Sequence, residues 1–580
     1  MLRKLIPYVK GYERAAVAGP LLVIVEIVCE LILPLLMANI INIGINGDGG
    51  LRYILQQGGL MVLVAALAML GGVVATRFTA TASMGFGANL RKGLFDKVQE
   101  FSFADIDRFS SASLVTRMTN DVNALQTMLG FALRIMVRAV VMLVAALAVC
   151  VSINARLSVV LFVIIPVMAL AIAALMTVCN KLFRVMQQKI DDLNGRVQEN
   201  LVAIRVVKAF VRQKHEKEKF KGSNDALTAS SLRVGTRIIL MQPIMMIALF
   251  GAIVAVLWLG GNQVIVGDML VGDLTSFITY ISQILMSVLM VAMSLLQLSR
   301  AQACAQRICE VLETVPEIQD GAHAQDAPLP PAQGRVEFRD VSFRYQATGT
   351  GDDVLAHIDL TVEPGQFVAI VGGTGVGKSS LVNLIPRFYD VTGGQVLVDG
   401  LDVREYPIEA LRGRIGMVLQ NNVLFSGTIR ENLLWGKPDA TEEELVQAAK
   451  NAQAYDFIMS FPEGFDTHLE QGGVNVSGGQ KQRLCIARAM LRAPAVLILD
   501  DSTSAVDTAT EARIQAAFKE SLAGTTVLMI AQRISSVEHA DKIVVLDDDH
   551  VSGVGSHQEL LESNNIYQEI YQSQQEGVSA

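Results

Sequence analysis

Residues 367–379 read FVAIVGGTGVGKS, an apolar run that breaks into a glycine-rich turn and ends on a lysine and a serine. The apolar run, Phe367 to Val371, is strand-like, and the following stretch, Ser380 to Ile385, is helical in composition. That strand–loop–helix frame is the context the P-loop pattern requires. Gly372, Gly373, Gly375 and Gly377, with Thr374 and Val376 among them, let backbone N–H groups converge on phosphate oxygens at a helix start. Lys378 is placed to neutralise nucleotide β- and γ-phosphates and the Ser379 hydroxyl to ligate Mg²⁺, while Ser380 joins the nucleotide-binding set.

Outward from this turn, the chain alternates strand-like and helix-like segments, as an α/β domain does. The apolar strand Ala495 to Leu499 ends in Asp500, and an acid at a strand tip beside such a loop is a second candidate Mg²⁺ ligand. Val476-Ser477-Gly478-Gly479-Gln480 opens a helix that runs to Leu491. Small residues at a helix start suit phosphate, although in isolation a plain turn and helix cap is the default reading. Upstream, 320–334 (DGAHAQDAPLPPAQG) carries three prolines and no apolar periodicity, and reads as a linker. The expected division is a first domain at 1–315, a linker at 316–334 and a second domain at 335–580.

The first 315 residues differ in kind. They hold 29 Lys and Arg against 19 Asp and Glu, whereas the remainder holds 19 against 37. Uncharged stretches long enough, or nearly so, to cross a bilayer recur at 53–76, 139–155, 157–180, 238–267 and 274–299. A less clean one at about 15–43 contains Glu26 and Glu30, which makes six spans. Arg156, between the third and fourth, is read as a tight turn on the far side. Arg52 and Arg156 are the lone basic residues of the outer loops, while 83–133 and 180–236 are rich in charge. The basic side faces the cytosol, so the N-terminus and the acidic half are expected there. Glu26 and Glu30 share one helix face. They form either a cation-attracting wall or an acid pair neutralised by Arg or Lys. Gln242 and Pro243 hint at an irregularity in the fifth span. The six cysteines are scattered without a CxxC, so neither a zinc site nor a disulfide framework is indicated.

VSGGQ about 100 residues after a P-loop, just before an apolar strand ending in Asp, resembles the signature motif of ABC ATPases. Tyr345 in VSFRY resembles the aromatic that stacks on adenine. Gln420 resembles the Q-loop glutamine that senses Mg²⁺, and Ser504-Ala505-Val506-Asp507 the D-loop. FADIDRFSSASLVTRMTNDV (103–122) and ENLVAIRVVKAFVRQ (199–213) resemble the intracellular loops of ABC exporters. The resemblance implies an all-α, six-helix transmembrane domain of the exporter type fused to an α/β P-loop ABC ATPase domain. ATP and Mg²⁺ are its implied cofactors, and two halves are implied to work together, each touching both ATPase domains. It further implies ATP-driven export of small amphipathic compounds (drugs, lipids or peptides) across a bacterial plasma membrane. The spans exclude a soluble ABC ATPase of DNA repair or translation, so nucleic acid is not an expected partner.

Two positions depart from the family pattern. Asp501 stands where a glutamate, the presumed general base, usually follows the Mg²⁺ aspartate. Gln532 stands where the switch histidine is usual. Glutamine donates a hydrogen bond but carries neither positive charge nor a shuttled proton. The site built on this P-loop is thus expected to bind ATP through Tyr345, 372–380 and a partner's signature, and to hydrolyse it poorly. The expected partner is a different half-transporter that supplies the glutamate and histidine and uses Ser477, Gly478, Gly479 and Gln480 of this chain. The alternatives are a homodimer with Asp501 as a weak base and an ATP-binding regulator in the membrane.

Overall fold

The computed structural model describes residues 2–320, 329–345, 353–502, 506–521 and 524–579. The chain forms two compact units. The first is Met1–Val98 with Ala112–Thr314, and the second is Gln99–Ser111 with Val315–Ala580.

In the first unit, six helices are long and apolar enough to cross a membrane: Glu13–Ile45, Gly50–Gln99, Ser111–Ile153, Ala155–Val202, Gln213–Val266 and a last one beginning at Val271. The turn between the third and fourth centres on Asn154 rather than Arg156. Asn154 takes an extended backbone, and its side chain accepts from Leu157 N at 3.0 Å, capping the fourth helix. The fifth span is interrupted at Leu240, between helices ending at Ile239 and starting at Met241. Pro243 has no N–H to offer the Ile239 carbonyl, which is the physical reason for the break there.

A buried apolar cluster that includes Ile27, Leu31, Ala146, Leu161, Val256, Phe277 and Tyr280 holds these helices together. Polar ties reinforce it. The Tyr280 hydroxyl donates to Leu31 O and the Ser276 hydroxyl to Pro34 O, each at 2.5 Å, joining the last span to the first. Arg138 of the third span lies between the two acids of the first, at 2.6 Å from Glu26 and 2.7 Å from Glu30. The neutralised-pair reading of these acids is therefore the one realised. Gly72 makes room for it, because a Cβ there would stand 3.1 Å from the Glu26 carboxylate.

The second unit contains two main sheets. The smaller has the order β2-β1-β4-β5: Leu355–Val362, Val336–Phe343, Gly393–Val398 and Leu401–Asp402. Its paired strands are antiparallel. A two-residue pairing, β7 (Gly427–Thr428) with β8 (His468–Leu469), lies apart. The larger sheet has the order β12-β11-β3-β10-β9-β6. These are His550–Gly555, Lys542–Asp547, Phe367–Gly372, Thr526–Ile530, Val496–Asp500 and Ile415–Val418. All its pairs are parallel except β11–β12. Both faces are covered. Ile370, Ile498, Leu528 and Val544 enter one core cluster, and Ala369, Leu497, Met529 and Val545 the other. A strand buried on both sides reads as a continuous apolar run, which is why β3, β9 and β10 stand out in the sequence.

The segment 99–111 lies within the first 315 residues of the sequence but packs into the second unit. Its helix, Phe103–Phe109, starts with a reciprocal cap between Ser102 and Asp105. Phe103 stacks on Phe388 at 4.3 Å, and the Tyr389 hydroxyl donates to Asp107 at 2.8 Å. The ends of the proline-rich stretch are also tied into this unit. Asp320 accepts from Ile408 N, and Gly334 N donates to Asp399 at 2.7 Å.

Candidate functional site

The strand order places the ends of β3, β10, β9 and β6 side by side. Ile370 pairs with Ile530, Ile530 with Asp500, and Leu499 with Val418. Whatever follows these strands therefore meets at one edge of the sheet, where open α/β sheets bind ligands. The 373–379 loop follows β3, Gln532 follows β10, Asp500 ends β9 with Asp501 directly after it, and Gln420 follows β6. Four segments far apart in the chain are brought together in this way.

The loop after β3 needs glycine at defined points. Gly375 has φ +90° and Gly377 φ +87°, and a Cβ on Gly377 would meet Val354 O at 2.8 Å. The Lys378 ammonium folds back on the loop, donating to Gly372 O at 3.0 Å and Gly373 O at 2.5 Å. Burial lowers its pKa, while Asp500 and Asp501 pull it back up. The Ser379 hydroxyl donates to Asp500 at 3.0 Å. Burial pushes the Asp500 carboxyl up, and the neighbouring Asp501 charge adds to it. A hydroxyl and a carboxylate in contact, beside a second carboxylate and with the Lys378 ammonium near both acids, form an oxygen donor set that fits a hard divalent cation.

Asp501 takes a left-handed backbone, φ +48°. An aspartate tolerates that region better than most residues, and such outliers collect at functional sites. The Gln532 amide donates to its carboxylate at 2.6 Å, and Gln420 bonds to it as well. Burial raises the Asp501 pKa, against the opposing pull of Gln420 and Lys378. Two neutral amides thus fix the direction in which this carboxylate points, so it cannot swing freely toward an attacking water.

Tyr345 is half-buried, with its hydroxyl 2.9 Å from Ser380 Oγ. Its ring meets Phe343 edge-on at 4.8 Å and Tyr389 edge-on at 5.2 Å. Burial raises the pKa of both tyrosines, and for Tyr389 the bond to Asp107 acts in the same direction. An aromatic chain thus runs from the P-loop helix through Tyr345 and Tyr389 to the Phe103–Phe109 helix.

The Ser477–Gln480 turn stands apart from this cluster. Its helix, Gly478–Leu491, packs on β6 and on the helices Ile429–Leu434 and Glu442–Asn451. Ser477 caps the helix, accepting from Gln480 N at 3.3 Å, and Gln480 closes the box on Ser477 N at 2.9 Å. The Ser477 and Gln480 side chains are engaged in this cap, whereas Ser379 bonds to Asp500 and Gln532 to Asp501. Of the D-loop stretch, Ser504 and Ala505 lie outside the described residues; Asp507 accepts from Thr510 N at 2.9 Å.

Sequence reading did not single out Tyr389 or Gln574. Tyr389 follows an arginine and a phenylalanine with no periodic signal of its own. Gln574 does carry one, because it falls at the seventh position after Tyr567 on a helix whose Tyr567, Ile570 and Tyr571 face the core.

Two family descriptions match the chain: ABC transporter transmembrane region over residues 17–288 and ABC transporter over residues 355–504. The uncharacterized ABC transporter ATP-binding protein YfiB of Bacillus subtilis (strain 168) is 38% identical, over 99% of this chain and 98% of that one. An ATP-dependent lipid A-core flippase of Syntrophus aciditrophicus (strain SB) is 34% identical, over 84% of this chain and 80% of that one. Among solved structures, a bacterial Atm1-family ABC exporter with ATP bound superposes with a TM-score of 0.81 at 26% identity. That match covers 97% of this chain and 98% of the other.

Proposed function

Because this chain belongs to the ABC transporter family, as an exporter-type half that carries its membrane and ATPase parts on one polypeptide, we propose that it exports small amphipathic compounds as one of two unlike halves. The family assignment makes it an ATP-hydrolysing transporter and a multi-pass plasma-membrane protein with a cytosolic ATPase domain. In our reading the site on its own P-loop binds ATP and turns it over poorly.

The observation that supports the impaired site is the 2.6 Å bond from Gln532 to Asp501, with Gln420 on the same carboxylate. In-line attack needs a water held to within an ångström or so, and misplacement of that order costs about a hundredfold. Here the carboxylate is one methylene short, and both amides that hold it are neutral. Lys378 and the loop N–H groups bind the phosphates, and Tyr345 stacks on the base. Mg²⁺ would be held by Ser379 and Asp500, with Gln420 alongside, and supplies charge neutralisation on the phosphates when bound. A partner's signature turn closes this site, and Ser477–Gln480 of this chain closes the partner's, which performs the turnover. ATP shifts the population toward the closed pair because it binds that state more tightly. The lipid A-core for which the flippase relative is named supports an amphipathic cargo.

Purification of the chain alone tests the pairing. Low ATPase activity that rises when a companion half with the usual glutamate and histidine is co-expressed is the expected result. Robust, substrate-stimulated activity from the chain alone would establish a homodimer with Asp501 as base. Uptake by inverted vesicles carrying the pair is expected, and ATP binding without flux would point to a regulator. In the same pair, Lys378→Met should weaken ATP binding to this chain about thirtyfold, the worth of a charge-assisted contact. Photolabelling of this chain with an azido-ATP reads that change.

Phe103→Ala removes the ring stacked on Phe388 and weakens docking of the Phe103–Phe109 helix by about 2 kcal/mol. The expected outcome is a loss of flux at nearly unchanged ATP affinity. Hydrogen exchange over 101–111, measured alongside transport, checks it. Unchanged flux with raised exchange would mean that docking of this helix on the ATPase part does not limit transport.

A further inference from the structure

We propose that Gln574, on the C-terminal helix Asn565–Ser579, is a positioning residue for the switch at Gln532, so that this helix sets how the site on the P-loop senses the γ-phosphate. The inference rests on the function proposed above, and takes Gln532, at the switch position beside Asp501, to meet the nucleotide's terminal phosphate.

The Gln574 side-chain amide makes two bonds to one short stretch of main chain. Its Nε2 donates to Gln532 O at 2.8 Å, and its Oε1 accepts from Ile534 N at 2.8 Å. A planar amide that both gives and takes across alternate residues does what a neighbouring strand would do. No backbone hydrogen bond among the described residues uses either the Gln532 carbonyl or the Ile534 N–H. Residues 532–534 have left β10, so they lack a ladder and borrow a partner from 40 residues later. The far end of the same loop is also held by side chains. Gln515 donates to Ser536 O at 2.7 Å, and the Ser536 hydroxyl donates to Glu511 at 2.9 Å.

The clamp is anchored and not free to drift. Tyr567 is fully buried, its N–H donates to Asn564 Oδ1 at 2.8 Å, and its hydroxyl lies 2.8 Å from His557 Nδ1. Ile566, Ile570 and Tyr571 pack against the same core. Tyr567, Ile570, Tyr571 and Gln574 follow the spacing of one helix face, so the seated ring positions fix where the amide comes down. From the anchored main chain, the Gln532 side chain reaches the Asp501 carboxylate at 2.6 Å. Releasing the main chain at 532 therefore changes the group that meets the terminal phosphate, while the phosphate loop and Tyr345 stay as they are. ATP binding, which uses the γ-phosphate, is affected, and ADP binding, which does not, is spared.

The test uses the full-length chain with its companion half in lipid nanodiscs, comparing Gln574→Ala, Gln574→Glu and, as a surface control, Gln572→Ala. Mant-ATP and mant-ADP affinities are read on this chain's site, together with amide exchange over 531–537. Gln574→Ala should speed exchange of the Ile534 amide about fivefold and reduce the ATP-over-ADP preference about fivefold, with ADP affinity unchanged. Gln574→Glu keeps the acceptor for Ile534 N–H but loses the donor to Gln532 O. It should protect the amide yet fail to restore the preference. Faster exchange with an unaltered ATP-over-ADP ratio would overturn the proposal, leaving Gln574 a merely structural tie. Unaltered exchange would overturn it too. If Gln532→Ala in the otherwise native chain also leaves the ratio unchanged, the placement of Gln532 at the γ-phosphate fails, and the clamp's role falls with it.

Discussion

Restoring both departures together, Asp501→Glu with Gln532→His, is expected to raise ATP turnover at this chain's own site by about a hundredfold. The longer side chain carries the carboxylate toward the attacking water, and the imidazole replaces an amide that now occupies one carboxylate oxygen at 2.6 Å. The bond from Gln420 remains, so neither change alone should recover the full effect. A stability loss of about 1 kcal/mol is expected alongside, because position 501 has φ +48° and glutamate tolerates that region less well than aspartate. Single-turnover hydrolysis in the assembled pair, with the partner's P-loop lysine removed, isolates this site. A double variant no faster than the native chain there would mean that the aspartate and glutamine are not what limits it.

Arg138→Leu is expected to destabilise the membrane unit by about 3–5 kcal/mol, the usual result of stripping one partner from a buried ion pair. Glu26 is 9% exposed and Glu30 is partly covered, and both take hydrogen bonds from this one guanidinium. Without it two carboxylates one helical turn apart lose their ion-pair partner in a largely apolar surround, with Arg134 of the same cavity outside hydrogen-bond contact. Arg138→Leu combined with Glu26→Gln and Glu30→Gln should recover most of the loss, because the charges leave together. The yield and thermal midpoint of membrane-extracted protein decide the matter. Equal loss in the single and triple variants would mean that packing, not charge, makes Arg138 necessary.

The two results bear on different parts of the molecule and were legible to different degrees. The P-loop could be read because its demands are local: a strand, glycines where φ turns positive, then Lys378 and Ser379 at the start of a helix. Asp500 was legible as the polar end of an apolar strand. Asp501 and Gln532 could be named as departures, since each follows a strand that stands out in the sequence. Their contact could not, because it depends on β10 lying between β3 and β9. Glu26 and Glu30 were visible as misplaced charges, but nothing around Arg138 identifies which of the many arginines neutralises them. Charge makes Arg156 the visible candidate for the turn in the sequence, whereas Asn154 is the turn because its side chain caps the next helix.

The grouping of 99–111 with the ATPase part runs against chain order. It depends on Phe103 finding Phe388 and on Asp107 finding Tyr389, pairings 282 residues apart in the latter case. The Gln574 clamp is of the same kind, its sequence trace being one polar residue on an apolar face.

The order of residues alone settled the elements, the six apolar spans, the side of the membrane on which the ATPase lies, and the chemistry of the phosphate loop. These depend on interactions within a few turns of helix or one strand, and on transfer of side chains between water and hydrocarbon. The folded chain alone decided which carboxylate meets which amide, which arginine serves two glutamates, and which helix steadies the switch. Those are meetings between distant segments, set by strand order and helix packing, and a one-dimensional pattern has no term for the distance between them.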